Sequence, residues 1–366
     1  MERLNFTMRQ TIGFQFLMDQ MTANTVYGSD QIKQVNPFGR KEKDQLRVEY
    51  EEIECLIAAI DRNDMELSKI ELILMFIKEI RGSIRNLQEM SLNDIELFEI
   101  KNFLIQIEKI VPLFEEWNQQ LGLKTVWFQD VSVALNLLDP EEKRIPSFYI
   151  SDRYSDSLKE VREQKKKMEV ALRQELSEEK RQEYVKSRMN AVATEAELEQ
   201  EIRGQLSNQL RPFLPLMQEL TNMVGRLDFL IQKARVALKF GGTKPLLTNE
   251  SIELIKVIHP ELDLILKEKD KRFTPITIQM DQGVTVLTGA NMGGKSVALR
   301  TIFLNLYLAQ CGFYPYGEKV CFPVFDYMTF LAEEYQSMQA GLYSVAGEII
   351  ALKAAWGLRD RGSGLL

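Results

Sequence analysis

The clearest chemical signal in this sequence of 366 residues is one run, Gly289-Ala290-Asn291-Met292-Gly293-Gly294-Lys295-Ser296. It fits the pattern G-x-x-x-x-G-K-[ST], in which backbone N–H groups surround phosphate oxygens. Glycine lets the backbone approach an oxygen closely because no Cβ intervenes. The pattern predicts that Lys295 reaches the β- and γ-phosphates of a nucleotide and that the Ser296 hydroxyl binds Mg²⁺.

A loop of this kind needs a strand before it and a helix after it. Residues 283–288 are apolar and β-branched, which predicts a buried central strand. Residues 297–310 predict a helix whose N-terminal dipole faces the phosphates. Residues 252–258 and 277–280 predict two further strands. The sequence therefore predicts an α/β unit around the loop.

Glycine and proline divide the chain into two halves. Of 20 glycines, 13 lie from Gly241 onward, and no glycine occurs between Gly122 and Gly204. Because these residues interrupt helices, the first 240 residues are predicted to be almost entirely α-helical. Residues 240–245 read as the hinge between the halves.

Apolar residues at helical spacing predict helices over residues 43–62, 66–81 and 94–111. From residue 155 to residue 239 the pattern predicts long helices that form a hairpin, with its break near Gly204 or at Arg211-Pro212. The first half is therefore expected to be built from short helices followed by long ones.

Composition excludes several classes of protein. The net charge of −7 excludes a wholly basic surface for nucleic acid, but not a local basic patch. Three cysteines and one histidine exclude a disulfide framework and multi-histidine zinc sites. No signal peptide is visible, and no apolar run approaches the length of a membrane span. We expect a soluble, cytoplasmic protein that does not contact membranes.

The lysine run Lys165-Lys166-Lys167 allows two interpretations. It could contact nucleic acid, which requires a cluster of unpaired positive charge. Residues 158–188, however, hold ten Lys/Arg and seven Glu, interleaved at helical spacing. This pattern favours a solvated helix with ion pairs at i,i+4.

The wording of the loop, T-G-A-N-M-G-G-K-S, resembles the P-loop of the MutS family of DNA mismatch-repair ATPases. Residues 257–262, 308–315 and 339–348 resemble further segments of that ATPase domain, and residues 21–28 resemble the helical core. The resemblance implies an α plus α/β fold. It would comprise a helical core (1–150), long lever helices with a short clamp-like tip (151–240), and the first part of a P-loop ABC-type ATPase domain (241–366).

The resemblance also implies ATP and Mg²⁺ as cofactors. Asn291, Lys295 and Ser296 would contact the phosphates and Mg²⁺. Ser344 would be the signature serine, which reaches the γ-phosphate bound by a partner subunit, although a helix-capping role is an alternative. Lys295 and Ser344 would thus be the catalytic residues of a homodimer or of a heterodimer with a MutS-like paralogue. His259 would lie near the nucleotide, unless its role is structural.

Three features depart from the family's pattern. We expect no mismatch-reading domain before the helical core, and a clamp region of only about residues 179–204. The sequence ends at Leu366, before the apolar strand with Asp-Glu that would supply the Walker B acid. We therefore expect a chain truncated before Walker B, and we infer ATP hydrolysis for the complete protein only.

Three hypotheses about function remain open at this stage. The first is a MutS-like ATPase whose dimeric nucleotide cycle acts on duplex DNA. The second is an ATP-dependent protein remodeller, similar to the factors that reactivate cobalamin-dependent lysine or ornithine aminomutases. The third is a nucleotide-gated structural dimer without turnover. Binding of DNA that weakens with salt would separate the first from the second.

Overall fold

The computed structural model describes residues 4–174, 177–290, 293–330, 353 and 364–365. These residues are mainly helical and include a four-stranded mixed sheet and a separate parallel pair of strands, β5 with β6 in the numbering below. The helices are α1 (Phe6–Thr11), α2 (Phe14–Asp19), α3 (Val26–Lys33), α4 (Lys43–Asp61), α5 (Met65–Phe76), α6 (Arg81–Glu89), α7 (Asp94–Leu121), α8 (Ser132–Leu138), α9 (Asp156–Gln174), α10 (Glu178–Leu210), α11 (Leu214–Phe240), α12 (Pro260–Lys267) and α13 (Lys295–Gln310). The strands are β1 (Leu246–Leu247), β2 (Ile252–Val257), β3 (Ile276–Met280), β4 (Lys319–Phe322), β5 (Tyr327–Met328) and β6 (Gly364–Leu365).

The helices predicted in the first half are present, but two of them end at a different residue from the one predicted. Helix α4 matches its prediction, and α7 continues to Leu121, where Gly122 adopts a left-handed conformation (φ 76°). The helix predicted to reach residue 81 ends at Phe76. The Tyr27 hydroxyl explains this end, because it accepts a hydrogen bond from the Ile80 N–H and donates one to the Lys78 carbonyl. A side chain from α3 thus satisfies backbone groups that a longer helix would use itself.

Helices α9 and α10 form a long antiparallel hairpin. The antiparallel order follows from the ion pairs, since Arg162 contacts Glu195 whereas Glu169 contacts Arg188. The prediction of a break near Gly204 is wrong, because α10 passes through that residue and is anchored beyond it in the core. At the alternative position a helix boundary is confirmed, since Arg211–Phe213 form a short 3₁₀ turn between α10 and α11. It is not the break of the hairpin, because the antiparallel pair is α9 with α10.

The sheet has the strand order β1-β4-β2-β3. Strands β1 and β4 are parallel, and the other two pairings are antiparallel. The predictions of strands over residues 252–258 and 277–280 are confirmed by β2 and β3. The chain enters this sheet after α11, which ends with Gly241 in the left-handed region (φ 68°).

The predicted central strand over residues 283–288 is wrong. These residues form no strand, and Val284 and Val286 are 93% and 75% exposed. A central strand needs a hydrogen-bonded neighbour on each side. Within the part of the chain that the structure describes, no strand pairs with this segment, so its β propensity is not expressed.

Helix α13 links the glycine-rich loop to the helical half. Its first turns are exposed, whereas residues 301–310 are all buried. The N-terminal helices pack on this buried part: the Phe14 ring lies 5.0 Å from the Tyr307 ring and 6.2 Å from the Phe313 ring, centroid to centroid. The first helices of the chain therefore help to hold the helix that follows the loop.

None of the helices that the structure describes combines the length and the apolar character needed to cross a bilayer. The longest one, α10, has 33 residues but carries charges along its length. Its buried residues are mainly in the last third, where it joins the core.

Candidate functional site

The glycine-rich loop turns sharply into the N-terminus of α13. Gly294 precedes the helix in the left-handed region (φ 86°), which an L-residue rarely adopts. The Gly293 N–H donates to the Ala290 carbonyl at 3.0 Å, and a Cβ on Gly293 would lie 2.8 Å from that oxygen. The two glycines thus have separate roles. Gly294 permits the left-handed backbone angle, and Gly293 permits the close turn against the Ala290 carbonyl.

Lys295 is the first residue of α13, and its ammonium lies over the loop. The Nζ atom donates to the Gly289 carbonyl at 2.6 Å and to the Ala290 carbonyl at 3.1 Å. The exposed Ser296 follows in the first turn of the helix. Free N–H groups and the helix dipole favour an anion at such an end, and a lysine beside it adds charge.

Three of the predicted site residues, Asn291, Met292 and Ser344, lie outside the described residues. The structure brings together Gly289, Ala290, Gly293, Gly294, Lys295 and Ser296. The assignment of these residues to a nucleotide remains a prediction.

The residues present fit a nucleotide phosphate better than a free metal ion. A Cβ on Gly294 would meet no atom within 4 Å, so the backbone there is open to a ligand, and Lys295 supplies a cation. No group of three His, Cys, Asp or Glu that could hold a metal exists among the described residues. That Ser296 gives one oxygen ligand to a Mg²⁺ ion bound with the phosphates stays a prediction.

The C-terminal end of α13 is held by groups from three other segments. The Tyr50 hydroxyl donates to the Ala309 carbonyl at 2.5 Å. The Phe38 N–H donates to the Gln310 carbonyl at 2.8 Å, and the Gln310 amide donates back to the Phe38 carbonyl at 3.0 Å. The last carbonyls of a helix have no partner within the helix, so these contacts satisfy groups that burial would otherwise leave unpaired.

Lys233 of α11 completes this end of the helix. Its Nζ donates to the carbonyls of Cys311 and Gly312, both at 3.1 Å, and to Glu49 at 2.7 Å. It also lies 4.6 Å from the Phe229 ring centroid and 4.5 Å from that of Phe313. A cation at a helix C-terminus is favoured by the helix dipole, and the aromatic faces add attraction.

Glu49 connects Lys233 to a second cation. Burial alone would raise the pKa of Glu49, but Lys233 and Arg226 beside it hold that pKa below its usual value. Arg226 also contacts Glu52 at 3.1 Å, and Glu52 accepts from the Thr125 N–H at 2.7 Å. The buried charges therefore pair with one another and with the backbone, as buried charges must.

His259 lies at the N-terminus of α12, where its Nδ1 accepts from the Leu262 N–H at 3.4 Å. It is 2% exposed and fits against Gly13, whose added Cβ would lie 2.3 Å from the imidazole. Burial lowers the pKa of His259 to about 4, although a hydrogen bond with the Ile12 backbone opposes the shift. The structure thus places His259 as a neutral capping and packing residue; contact with a nucleotide remains a prediction.

The hairpin carries its charges unevenly. Its outer part, residues 165–188, holds eight Lys/Arg and five Glu. Its inner part, residues 152–164 and 189–203, holds four Lys/Arg and eight Asp/Glu. The expected i,i+4 pairs are largely replaced by pairs between the helices, since Lys165 and Arg162 both contact Glu195. Lys166 and Lys167 are exposed.

The cluster around Lys233 was not predicted from the sequence, although a signal exists. Glu49 stands between Leu46 and Ile53 in the apolar stripe of α4, and Lys233 stands between Phe229 and Ala237 in that of α11. A charged residue in a core position of an amphipathic helix requires a buried partner. Two such residues of opposite sign would have predicted a buried pair, but not which helices it joins.

Comparison with known proteins relates part of the chain to MutS. The chain is 29% identical over 139 residues to the DNA mismatch repair protein MutS of Lysinibacillus sphaericus, which covers 38% of this chain and 16% of that protein. It is 30% identical over 132 residues to MutS of Shouchella clausii, covering 36% and 15%. It is 25% identical over 172 residues to MutS of Staphylococcus aureus, covering 42% and 20%.

The matched region is no more than a fifth of the length of these curated relatives. No protein-family model matches the chain. A relationship to MutS over about two fifths of the chain is therefore what the comparisons support.

Because Lys233 is buried and paired with Glu49, its replacement is predicted to lower the stability of the fold strongly. We expect Lys233→Met to lower the free energy of unfolding by about 3 kcal/mol, because Glu49 and two carbonyls lose their buried cation. The measurement is urea unfolding followed by circular dichroism. Lys239→Met is the matched control on the exposed side of α11, where a change within about 0.5 kcal/mol is expected. Equal stability of the two variants would contradict the assigned role.

The buried neutral His259 predicts a pH dependence of stability. Its folded pKa of about 4 lies below the unfolded value of about 6.5, so only the unfolded chain gains this proton between these values. Stability from this residue is therefore complete above pH 6.5 and is lost as the pH falls toward 4. Between pH 7 and pH 5 the loss should be about 2 kcal/mol.

The reference for this measurement is His259→Asn, which can cap a helix but does not titrate. The difference in unfolding free energy between the two proteins, followed from pH 7 to pH 5, isolates the histidine, since the chain has one. A difference that does not change with pH would show that His259 is not buried in its neutral form.

Proposed function

We propose that this chain is a MutS-like ATP-binding protein of the mismatch-repair type, whose nucleotide-dependent dimer acts on duplex DNA. The observation that carries the proposal is the turn from Gly293 and Gly294 into α13 with the Lys295 ammonium over the loop. The partial relationship to MutS supports it, because the relatives are named as DNA mismatch repair proteins.

In this proposal the loop and the first turn of α13 bind the phosphates of ATP. The backbone N–H groups of the loop donate to phosphate oxygens, and Lys295 neutralises charge on the β- and γ-phosphates. Its ammonium would exchange the carbonyls of Gly289 and Ala290 for phosphate oxygens. Ser296 would hold Mg²⁺, which supplies further positive charge when it is bound. Hydrolysis would additionally require an acid and a signature serine, the latter expected at Ser344.

The hairpin is the element through which the dimer would contact DNA. Its outer part carries the excess of positive charge, and Lys166 and Lys167 are exposed there. Phosphate contacts by lysine release counterions, so such binding weakens steeply with salt. The acidic inner part would repel the duplex and confine contact to the outer part.

The nucleotide site is tested by Lys295→Ala. We expect the affinity for Mg²⁺-ATP to fall by at least about tenfold, since the variant lacks the cation that faces the phosphates. Isothermal titration calorimetry measures the affinity. Lys271→Ala, at an exposed lysine after α12, should bind as the unchanged protein does. Equal affinities for the two variants would refute the site.

The DNA interface is tested by fluorescence anisotropy of labelled duplexes, matched and mismatched, with ATP present at two salt concentrations. We expect binding that weakens with salt, and a weaker salt dependence in Lys166→Glu/Lys167→Glu because two phosphate contacts are lost. Lys269→Glu/Lys271→Glu makes the same change in charge away from the hairpin and should bind as the unchanged protein does.

Absence of DNA binding at low salt would contradict the DNA-acting proposal while leaving the nucleotide site untouched. It would favour a protein target, for which a cobalamin-dependent aminomutase is the first to test. A preference for mismatched duplex would instead assign mismatch recognition to this chain.

A further inference from the structure

The hairpin of α9 and α10 is joined to the rest of the helical half at two places. Helix α10 is held at its C-terminal end, where Ile202, Leu206 and Leu210 are buried in the core. Helix α9 begins at Asp156, after the α8–α9 connection, which is residues 139–155. Long helices are rarely straight and curve along their length, so the angle of the hairpin also depends on how α9 is held.

The α8–α9 connection is fixed to α7 by a buried ion pair. The Lys101 ammonium donates to one carboxylate oxygen of Asp139 at 3.0 Å, and both side chains are buried. The other oxygen of Asp139 accepts from the Arg144 N–H at 2.7 Å. Burial would raise the pKa of Asp139, but the Arg144 N–H and Lys101 hold that pKa below its usual value. The carboxylate is therefore ionised at neutral pH and holds the start of the connection on α7.

Further contacts hold the connection in an unusual backbone conformation. Glu142 and Arg144 have φ angles of 52° and 53°, in the left-handed region that residues other than glycine rarely adopt. Such angles persist only where the surrounding contacts enforce them. The Arg144 guanidinium contacts Glu108 of α7 at 2.9 Å, and Arg153 donates to the Pro140 carbonyl at 2.8 Å. The connection is thus fastened at several points along its length.

Arg162 of α9 joins this connection to both helices of the hairpin. Its guanidinium donates to the Ile150 carbonyl at 2.8 Å and to Asp152 at 2.5 Å, both in the connection. It also donates to Glu195 at 3.0 Å and to Glu199 at 2.7 Å, both on α10. A planar guanidinium presents five N–H donors in fixed directions, so one side chain can meet all four acceptors.

The acidic inner part of the hairpin requires a cation at this point. Glu195 and Glu199 lie one turn apart on α10, and the connection brings a third carboxylate toward them. Like charges at this spacing repel one another. Lys165 also contacts Glu195, and Arg203 contacts Glu199, but these two pairs lie within the hairpin. Arg162 differs from them because it reaches the connection as well.

We propose that Arg162 is a positioning residue, which holds the hairpin at one angle to the helical half and so presents its outer part to duplex DNA in a fixed direction. The consequence for DNA rests on the proposed function, whereas the fixed angle does not. A surface that is held in place before contact loses less conformational entropy on binding. Arg162 itself contacts no phosphate in this proposal, because its donors are occupied by the connection and by α10.

The distance between two spin labels, measured by pulsed electron paramagnetic resonance, tests the fixed angle. The labels are attached at Val185→Cys in the outer part of the hairpin and at Val133→Cys on α8, both exposed positions. Cys55 is replaced by serine, and the other two native cysteines are buried. We expect a narrow distance distribution when Arg162 is present and a broader one in Arg162→Lys, because one ammonium cannot reach both the connection and α10.

Arg235→Lys is the matched control for this measurement. The Arg235 guanidinium on α11 contacts both carboxylate oxygens of Glu71 on α5 at 2.7 Å, so the same planar contact is lost at a place outside the hairpin. The distribution in this variant should stay narrow, and circular dichroism checks that both variants are folded. A broad distribution when Arg162 is present, or equal widths in the two variants, would overturn the proposal.

Affinity for labelled duplex DNA tests the positioning role separately. Arg162→Lys keeps the net charge and every lysine of the outer part, so the slope of affinity against salt concentration should not change. We expect its affinity to fall by about fivefold, since a hairpin of variable angle must be ordered on binding. Arg235→Lys should bind as the unchanged protein does.

The outcomes of the two experiments are distinguishable. Equal DNA affinities of Arg162→Lys and Arg235→Lys would overturn the positioning role even if the distance distribution broadens. Absence of DNA binding in every protein, the unchanged one included, would overturn the proposed function and with it the role of Arg162 in binding. The spin-label distances then still decide whether Arg162 fixes the angle of the hairpin.

Discussion

The buried ammonium of Lys233 is the interaction on which the two halves of this molecule depend. It joins Glu49 of α4 to the two carbonyls that follow α13, while it belongs itself to α11. An unpaired charge in this position would be strongly destabilising, so the three segments must meet in one arrangement. The second cation, Arg226, pairs with Glu49 and Glu52. The ring faces of Phe229 and Phe313 lie against the Lys233 ammonium.

Helix α13 connects this buried cluster to the candidate site. A helix of its 16 residues is about 24 Å long and begins at Lys295, the lysine over the glycine-rich loop. Its buried half packs against Phe14 and the sheet, and its last carbonyls are held by Tyr50, Phe38 and Lys233. Close-packed elements move as bodies rather than bending. Helix α13 therefore joins the glycine-rich loop to α4 and α11 as one packed element.

The parts of the fold and of the candidate site that could be predicted from the sequence are those set by local residue patterns. Helix α13 and strands β2 and β3 follow from residue spacing and β-branched runs, and the structure contains all three. The assignment of the glycine-rich loop to phosphate stays a prediction. Residues 283–288 have a β propensity like that of β2 and β3, but no strand among the described residues pairs with them. A segment forms a β-strand only when a neighbouring strand is hydrogen-bonded to it. The end of α5 at Phe76 depends on the Tyr27 hydroxyl from another helix, which no local pattern encodes. Which residue pairs with Lys233 likewise depends on tertiary packing. The position of this charge within an apolar stripe indicates only that a buried partner is needed.

The central claim is that a nucleotide phosphate binds where the loop enters α13. Hydrogen exchange followed by mass spectrometry, with and without Mg²⁺-ATP, tests this claim most directly. The account predicts slower exchange for the backbone amides of residues 289–298, because those donors would be occupied by phosphate oxygens. Unchanged exchange across these residues at saturating Mg²⁺-ATP would contradict it.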